Sequence, residues 1–174
     1  MRAARELLKD LKYEVVSGSI DVNVSELVYN TRKVKKECMF VCIKGATFDS
    51  HDVAGEAAKN GAVVIVAERP VDVPAGTTVV LVEDTRYALA LISAAYFQYP
   101  AKKLKVIGIT GTKGKTTTTF MIRSILEHAG IPTGLIGTIE VIIGDRHIPA
   151  HNTTPESYEV QEYFAQMVEA GCKV

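Results

Sequence analysis

Short apolar runs, separated by polar or glycine-containing turns, dominate the first hundred residues. Runs of this length rich in β-branched residues predict strands, which lie here at 26–29, 38–43, 63–67 and 79–82. Apolar positions that recur every three or four residues predict helices instead, at 3–11, 52–59 and 85–97. Because helices and strands are mixed along the segment, we expect a small α/β domain.

Beyond residue 100 the same patterns predict a strand at 106–110, a glycine-containing loop, and a helix that stops at Gly130. Apolar residues with helical spacing define one face of that helix: Ile122, Ile125, Leu126 and Ala129. A strand at 135–143, a turn at 144–146 and a helix at 155–170 follow. Thr154 is the expected N-cap of this last helix, Pro155 its first residue, and Gly171 its end.

A proline after a helical run, followed by two lysines, predicts a domain boundary near residues 99–103. The expected domains are therefore 1–100 and 101–174. Two main strands with their helices cannot complete the core of a doubly wound domain, since three or more strands are normally needed. We therefore expect 101–174 to be only the start of such a domain, and the protein to continue beyond Val174.

The composition of the chain excludes several classes of partner and location. The chain has 174 residues, of which 47% are apolar, and its 20 basic and 20 acidic side chains cancel. No net field attracts nucleic acid or an anionic membrane, so neither is an expected partner. The longest apolar runs are strand-sized, and the first residues show no signal-peptide cleavage pattern, so we expect a cytoplasmic location. The three cysteines are expected to be core thiols, and the four histidines show no metal-ligand spacing.

The strongest chemical signal is the loop between the predicted strand at 106–110 and its helix. Gly111 and Gly114 lack Cβ atoms, so the loop can turn its backbone N–H groups towards an anion. Lys115 can then reach the β and γ phosphates of a nucleotide, and the Thr116 hydroxyl can ligate the accompanying Mg²⁺. Thr117 can add a phosphate hydrogen bond. The loop therefore predicts an ATP site.

The loop departs from the common phosphate-loop pattern G-x-x-x-x-G-K-[ST], because Ile109 stands where the first glycine belongs. Residues 110–117 instead resemble the ATP loop of the Mur ligase family, which shares the late first glycine. The resemblance implies that ATP contacts Gly111, Thr112, Lys113, Gly114, Lys115, Thr116 and Thr117, with Lys115 catalytic and Thr116 at the metal. Lys113 stands where that family commonly has asparagine. We expect this difference to change the affinity for ATP rather than the assignment of the loop as an ATP site.

Two further motifs resemble the UDP-N-acetylmuramoyl-tripeptide synthetases of that family. Residues 151–157 look like an Asn-Thr-Thr motif for the muramoyl-dipeptide, and residues 30–34 and 45–51 are similar to uridine-nucleotide motifs. The implied UDP-sugar residues are Tyr29, Thr31, Ala46, Thr47, Phe48, Asn152, Thr153 and Thr154. From spacing alone, Thr153 and Thr154 form only a helix cap. Asn30 replaces the family's acid, Thr31 its serine, and Ser50 a glycine, which leaves the loop conformation near Ala46 open.

The resemblance implies a uridine-nucleotide domain followed by the start of a phosphate-loop ATPase domain. It also implies a monomeric ATP-dependent ligase that adds meso-diaminopimelate or L-lysine to UDP-N-acetylmuramoyl-L-alanyl-D-glutamate through an acyl phosphate. These 174 residues alone are expected to be inactive as a ligase. Alternatives are another ligase of the superfamily, such as a folylpolyglutamate synthetase, and a nucleotide-binding module without catalysis.

Overall fold

The computed structural model describes residues 1–150 and 154–174, and the chain divides into two units, Met1–Tyr96 and Phe97–Val174. Two of the predicted substrate residues, Asn152 and Thr153, lie outside the described residues. Within the described part of the chain, no helix has both the length and the apolar character needed to span a bilayer.

Unit 1 is built on seven strands. They are β1 Arg2–Ala3, β2 Glu14–Ser17, β3 Asn23–Val24, β4 Leu27–Val28, β5 Cys38–Val41, β6 Ala62–Ala67 and β7 Thr78–Leu81. Five of them form a mixed sheet in the order β2-β7-β6-β5-β4, in which β4 to β7 are parallel and β2 is antiparallel to β7. A separate antiparallel pair joins β1 to β3. The carboxyl ends of the parallel strands therefore meet at one edge of the sheet.

Helices α1 (Ala4–Leu8), α2 (Ala54–Lys59) and α3 (Thr85–Tyr96) complete the core of unit 1. Phe40 on β5 and Ile65 on β6 are completely buried, as are most of their neighbours in the same strands. Such strands are apolar at successive positions because both sheet faces are covered, which is typical of parallel strands. Helix α2 packs against β6, and α1 packs against α3.

The strands and helices predicted for this unit are confirmed, with shifted ends. The helix predicted at 52–59 is α2, preceded by a 3₁₀ turn at Ser50–Val53, and the first helix ends at Leu8. Strand β2 was not predicted. All four of its residues are exposed, so this edge strand carries no alternation between buried and exposed positions.

Unit 2 contains helices α4 (Lys115–His128) and α5 (Ser157–Glu169) and strands β8 (Leu135–Ile136), β9 (Glu140–Ile143) and β10 (Arg146–Pro149). The strands form an antiparallel sheet in the order β10-β9-β8. The single strand predicted at 135–143 is wrong, because the chain turns at 137–139, where Gly137 N donates to Glu140 O at 3.1 Å. The turn predicted at Gly144 is confirmed and joins β9 to β10.

The strand predicted at 106–110 is also wrong within the described residues. Lys105 N donates to Lys173 O at 2.9 Å, but residues 106–110 take no strand conformation. Val106 and Ile107 are 54% and 46% exposed. A strand needs a neighbour that satisfies its backbone N–H and C=O groups, so an apolar run alone does not make one.

Both helices of unit 2 differ in detail from the sequence prediction. Helix α4 is present, but its predicted apolar face is incompletely covered, since Ile125 is 66% exposed and Ala129 is exposed too. Thr154 is not the N-cap of α5, and Pro155 does not begin it. Glu156 occupies the cap position in an extended conformation, with ψ of 159°, so the helix begins at Ser157. The end of α5 before Gly171 is confirmed.

Candidate functional site

The glycine loop of unit 2 leads directly into α4. Gly114 is the N-cap of the helix and has a left-handed conformation, with φ of 79°. A side chain at this position would be strained by the backbone conformation, although nothing lies within 4 Å of the place its Cβ would take. Among the described residues no side chain caps α4, so its first-turn N–H groups have no side-chain acceptor there. This arrangement suits an anion.

Lys115 and Thr116 occupy the first turn of α4. The Lys115 amine donates to the carbonyl oxygen of Gly111 at 2.5 Å, which places its charge at the loop. Lys115 is exposed and Thr116 is half-buried. The other predicted ATP residues, Thr112, Lys113 and Thr117, are exposed at the same helix end. The structure thus brings all the predicted residues of the ATP loop together around one helix N-terminus.

Thr138 is a neighbour of this loop that the sequence did not single out. It lies in the turn between β8 and β9, and its hydroxyl oxygen is 3.3 Å from the hydroxyl oxygen of Thr116. The two residues are 22 positions apart, so no local spacing connects them. The packing of β8 against α4 brings the turn to the loop.

Two hydroxyl oxygens are compatible with Mg²⁺, which prefers oxygen ligands and keeps several waters. Among the described residues, no cluster of three or more His, Cys, Asp or Glu side chains could hold a metal ion. The Thr116 hydroxyl is an oxygen donor of the kind that Mg²⁺ prefers.

In unit 1, the predicted UDP-sugar residues follow two adjacent parallel strands. Tyr29 and Thr31 come directly after β4, and Ala46, Thr47 and Phe48 come after β5. Because β4 pairs in parallel with β5, both segments start from the same sheet edge. Ligands of open α/β sheets bind in crevices outside the carboxyl ends of the strands. The structure therefore places these residues where that rule expects a ligand.

The segments after β4 and β5 are both ordered by short polar turns. Asn30 caps the 3₁₀ turn Thr31–Lys33, accepting a hydrogen bond from Arg32 N at 3.0 Å. Thr31 is half-buried in this turn. After β5, Gly45 N donates to Phe48 O at 2.8 Å, and the Phe48 ring is 55% exposed. An exposed aromatic ring offers a flat apolar surface at this edge.

The cysteines take no part in either candidate site. Cys38, Cys42 and Cys172 are free and buried, which confirms the prediction of core thiols. Burial raises the pKa of the Cys42 thiol to about 12. Thiols that remain protonated are poor nucleophiles and poor metal ligands.

Unit 2 also has an apolar groove of about 360 Å³ between residues 104–109 and 133–136. Ile122 of α4 and Phe164 of α5 contribute to its lining, while Gly111, Lys115 and Thr116 do not. The groove therefore does not include these residues of the ATP loop, and Lys105, Arg123 and the predicted substrate residue Thr154 also line it.

Comparison with known proteins decides the family. Residues 109–174 match the Mur ligase middle domain, and residues 23–97 match the catalytic domain of the Mur ligase family. The chain belongs to the Mur ligase family. The resemblance found in the sequence is thereby confirmed, as is the α/β fold class. The matched ranges contain the glycine loop, the segment after β4 and the segment after β5.

Relatives within the Mur ligase family are close in sequence. A UDP-N-acetylmuramoyl-L-alanyl-D-glutamate--2,6-diaminopimelate ligase from Clostridium perfringens (strain 13 / Type A) is 49% identical over 167 residues, covering 96% of this chain and 34% of that ligase. A ligase of the same name from Geobacillus kaustophilus (strain HTA426) is 49% identical over 156 residues, covering 88% and 31%. The chain thus spans about a third of the length of these curated relatives.

Solved structures share the fold. A UDP-N-acetylmuramoyl-L-alanyl-D-glutamate--2,6-diaminopimelate ligase superposes with a TM-score of 0.79 at 21% identity, covering 98% of this chain and 34% of that one. The Thermotoga maritima MurF ligase in complex with ADP gives a TM-score of 0.54 at 27% identity, covering 81% and 29%.

Proposed function

We propose that the protein is an ATP-dependent ligase of cytoplasmic peptidoglycan precursor synthesis. It joins a diamino acid to UDP-N-acetylmuramoyl-L-alanyl-D-glutamate and acts as a monomer. The observation that carries this proposal is the loop from Gly111 to Lys115 at the start of α4, in a chain 49% identical to a ligase with this substrate in its name. The names of the relatives favour diaminopimelate over L-lysine as the diamino acid.

The ATP site of the proposal is the N-terminus of α4. Backbone N–H groups of the loop hold the phosphates, and Thr112, Lys113 and Thr117 line its mouth. Lys115 neutralises charge that develops on the transferred phosphoryl group. Thr116 supplies a hydroxyl ligand to Mg²⁺, which when bound adds further positive charge at the phosphates. The Thermotoga maritima MurF ligase, which shares the fold, was solved in complex with ADP, and this supports an adenine nucleotide as ligand.

The UDP-sugar site of the proposal lies in domain 1–100, at the carboxyl edge of β4 and β5. Thr31 offers a hydroxyl, Tyr29 lies two residues before it in sequence, and Ala46, Thr47 and Phe48 lie in the loop after the adjacent strand β5. Domain 101–174 begins the ATP-binding domain and adds the motif Asn152, Thr153 and Thr154 for the muramoyl-dipeptide. Thr154 is exposed and precedes α5, so its hydroxyl is available to a ligand.

The chemistry explains why ATP is used. The D-glutamate γ-carboxylate attacks the γ-phosphorus of ATP, giving an acyl phosphate and ADP. The amine of the diamino acid then attacks the acyl carbon and releases inorganic phosphate, leaving an amide. A carboxylate is a poor electrophile, and phosphorylation supplies its leaving group. Positioning and charge neutralisation are therefore what the loop residues contribute.

The test uses the full-length enzyme, purified with ATP and Mg²⁺. We expect ADP release only when UDP-N-acetylmuramoyl-L-alanyl-D-glutamate and a diamino acid are both present, faster with meso-diaminopimelate than with L-lysine. Release with UDP-N-acetylmuramate and L-alanine, or with a folate and glutamate, would assign a different ligase. Nucleotide binding without any acceptor-dependent ADP release would favour a binding module.

A further inference from the structure

Ser50 closes the neck of the loop that follows β5. Its hydroxyl accepts a hydrogen bond from Ile43 N at 2.6 Å and donates one to Ile43 O at 3.1 Å. Ser50 is only 4% exposed, so water does not compete freely for these contacts. A glycine at this position would leave Ile43 N without the hydroxyl. The hydroxyl therefore adds two hydrogen bonds to the backbone bond from Ser50 N to Ile43 O at 3.2 Å, which also closes the neck.

His51 and Asp49 form a second fixed point beside the neck. Asp49 Oδ1 accepts hydrogen bonds from His51 N at 3.0 Å and from His51 Nδ1 at 2.5 Å. The other ring nitrogen, Nε2, accepts a hydrogen bond from Glu68 N at 3.0 Å, just after β6. This assigns the proton of the neutral ring to Nδ1. His51 is 4% exposed, so a buried ring ties the loop to the neighbouring strand.

Charge on Asp49 is maintained by its surroundings. Hydrogen bonds from the His51 backbone and ring, together with Arg69, hold its pKa at about 2. Arg69 also pairs with Asp52 at 2.5 Å, so the guanidinium joins Asp49 to the 3₁₀ turn that follows. The acceptor therefore stays ionised at neutral pH.

Between the two arms, the loop presents residues 46–48 to solvent. Its tip is closed by the turn in which Gly45 N donates to Phe48 O. Below the tip, the backbones of Lys44 and Asp49 form an isolated antiparallel β-bridge. The position of the exposed Phe48 ring therefore depends on the neck rather than on burial of the tip. A loop that is already held in place loses less conformational entropy when a ligand binds.

We propose that Ser50, His51 and Asp49 are positioning residues that hold residues 46–48 ready for the UDP-sugar at the carboxyl edge of β5. This inference rests on the proposed function, because it takes Ala46, Thr47 and Phe48 as the UDP-sugar loop. The three residues act through the loop and do not touch the substrate. Their loss should weaken UDP-sugar binding and leave the chemistry at the ATP loop intact.

The first test is Ser50→Ala in the full-length enzyme. We expect KM for UDP-N-acetylmuramoyl-L-alanyl-D-glutamate to rise about fivefold or more, with kcat and KM for ATP changed less than about twofold. The matched control is Ser93→Ala. Ser93 is buried too, but its hydroxyl has no hydrogen-bond partner among the described residues, so its loss should leave all three constants unchanged.

A second pair of variants separates positioning from general destabilisation. Asp49→Asn keeps an Oδ1 acceptor for both His51 hydrogen bonds, but it loses the charge and replaces Oδ2, which accepts from Arg69 at 3.4 Å, with an amide donor. Asp49→Ala loses the charge and the acceptors for both His51 and Arg69. We expect the alanine variant to raise KM for the UDP-sugar, and the asparagine variant to restore most of the wild-type value. This comparison decides the proposal if Ser50→Ala fails to fold.

Three results would overturn the inference: an unchanged KM in folded Ser50→Ala, a loss confined to kcat, or equal KM values in Asp49→Asn and Asp49→Ala. Each of them presupposes normal turnover by the wild-type enzyme. Absence of UDP-sugar turnover in the wild type would instead reject the proposed function, so the two failures are distinguishable.

Discussion

The Nζ atom of Lys115 lies 2.5 Å from the carbonyl oxygen of Gly111, so the amine turns back over the loop that precedes its own helix. The contact spans four residues and closes the loop around the N-terminus of α4. A cation held this way lies beside backbone N–H groups that also favour negative charge. Lys115 and the loop thus form one anion site, in which the amine can exchange the carbonyl for a phosphate oxygen.

Replacing Lys115 by alanine should therefore lower kcat of the full-length ligase by at least about a hundredfold, the loss typical of removing a central electrostatic stabiliser. Lys113→Ala is the matched control, since this exposed lysine lies on the same loop. It should alter KM for ATP by only a few fold. Single-turnover formation of the acyl phosphate separates chemistry from binding. Near-normal turnover by Lys115→Ala would remove Lys115 from the reaction.

The contact between Thr116 and Thr138 leads to a prediction about the metal. Thr116→Val should raise the Mg²⁺ concentration for half-maximal activity by about tenfold, and Thr138→Val should raise it less, because it removes only a neighbour of the ligand. Mn²⁺ binding in the presence of ATP, followed by electron paramagnetic resonance, gives a readout independent of turnover.

Thr116→Ser should restore metal binding, because it keeps the hydroxyl. Thr118→Val is the control, at an exposed position of the same helix. If Thr118→Val weakened Mn²⁺ binding as much as Thr116→Val does, the effect would come from the helix and not from the hydroxyl.

Sequence patterns predicted unit 1 well because its strands are buried. Runs such as Cys38–Val41 are apolar at every position, which is the sequence pattern expected of strands covered on both faces. Strand β2 has no such apolar pattern, because Glu14–Ser17 is exposed throughout. It is held by its antiparallel pairing with β7. Pairing of this kind depends on a partner more than 60 residues away and cannot be read locally.

In the candidate sites, the sequence predicts residues that form a local motif and misses those that packing brings in. The loop from Gly111 to Thr117 is contiguous, so the sequence alone predicts it. Thr138 and the contact between His51 and Glu68 join different elements, so nothing in their spacing indicates them. The sequence shows Ser50 only as a departure from the family's glycine, whereas its contacts at the loop neck depend on the position of Ile43.

Thr31 provides a test of the UDP-sugar site that does not involve the loop after β5. Thr31→Ala should raise KM for the UDP-sugar about five- to tenfold with little change in kcat, because the interaction is remote from the transferred phosphoryl group. The 3₁₀ turn should persist, since its bond from Val34 N to Thr31 O uses only the backbone. Thr31→Ser should restore the wild-type KM. An unchanged KM in the alanine variant would remove Thr31 from the site.

The lowered pKa of Asp49 predicts how the stability of the protein changes in acid. Its folded-state pKa is about 2, lowered from 3.8 chiefly by the hydrogen bond from His51 N. The unfolded chain therefore takes up the proton first as pH falls, so the stability that Asp49 contributes is complete above about pH 4 and is lost between about pH 4 and pH 2.

In Asp49→Asn, the free energy of unfolding should fall less steeply over this range. Urea unfolding at pH 6, 4 and 3, followed by circular dichroism, measures the difference. Glu68, whose pKa is also lowered, is present in both proteins, so parallel slopes would show that Asp49 is not held as its hydrogen bonds indicate.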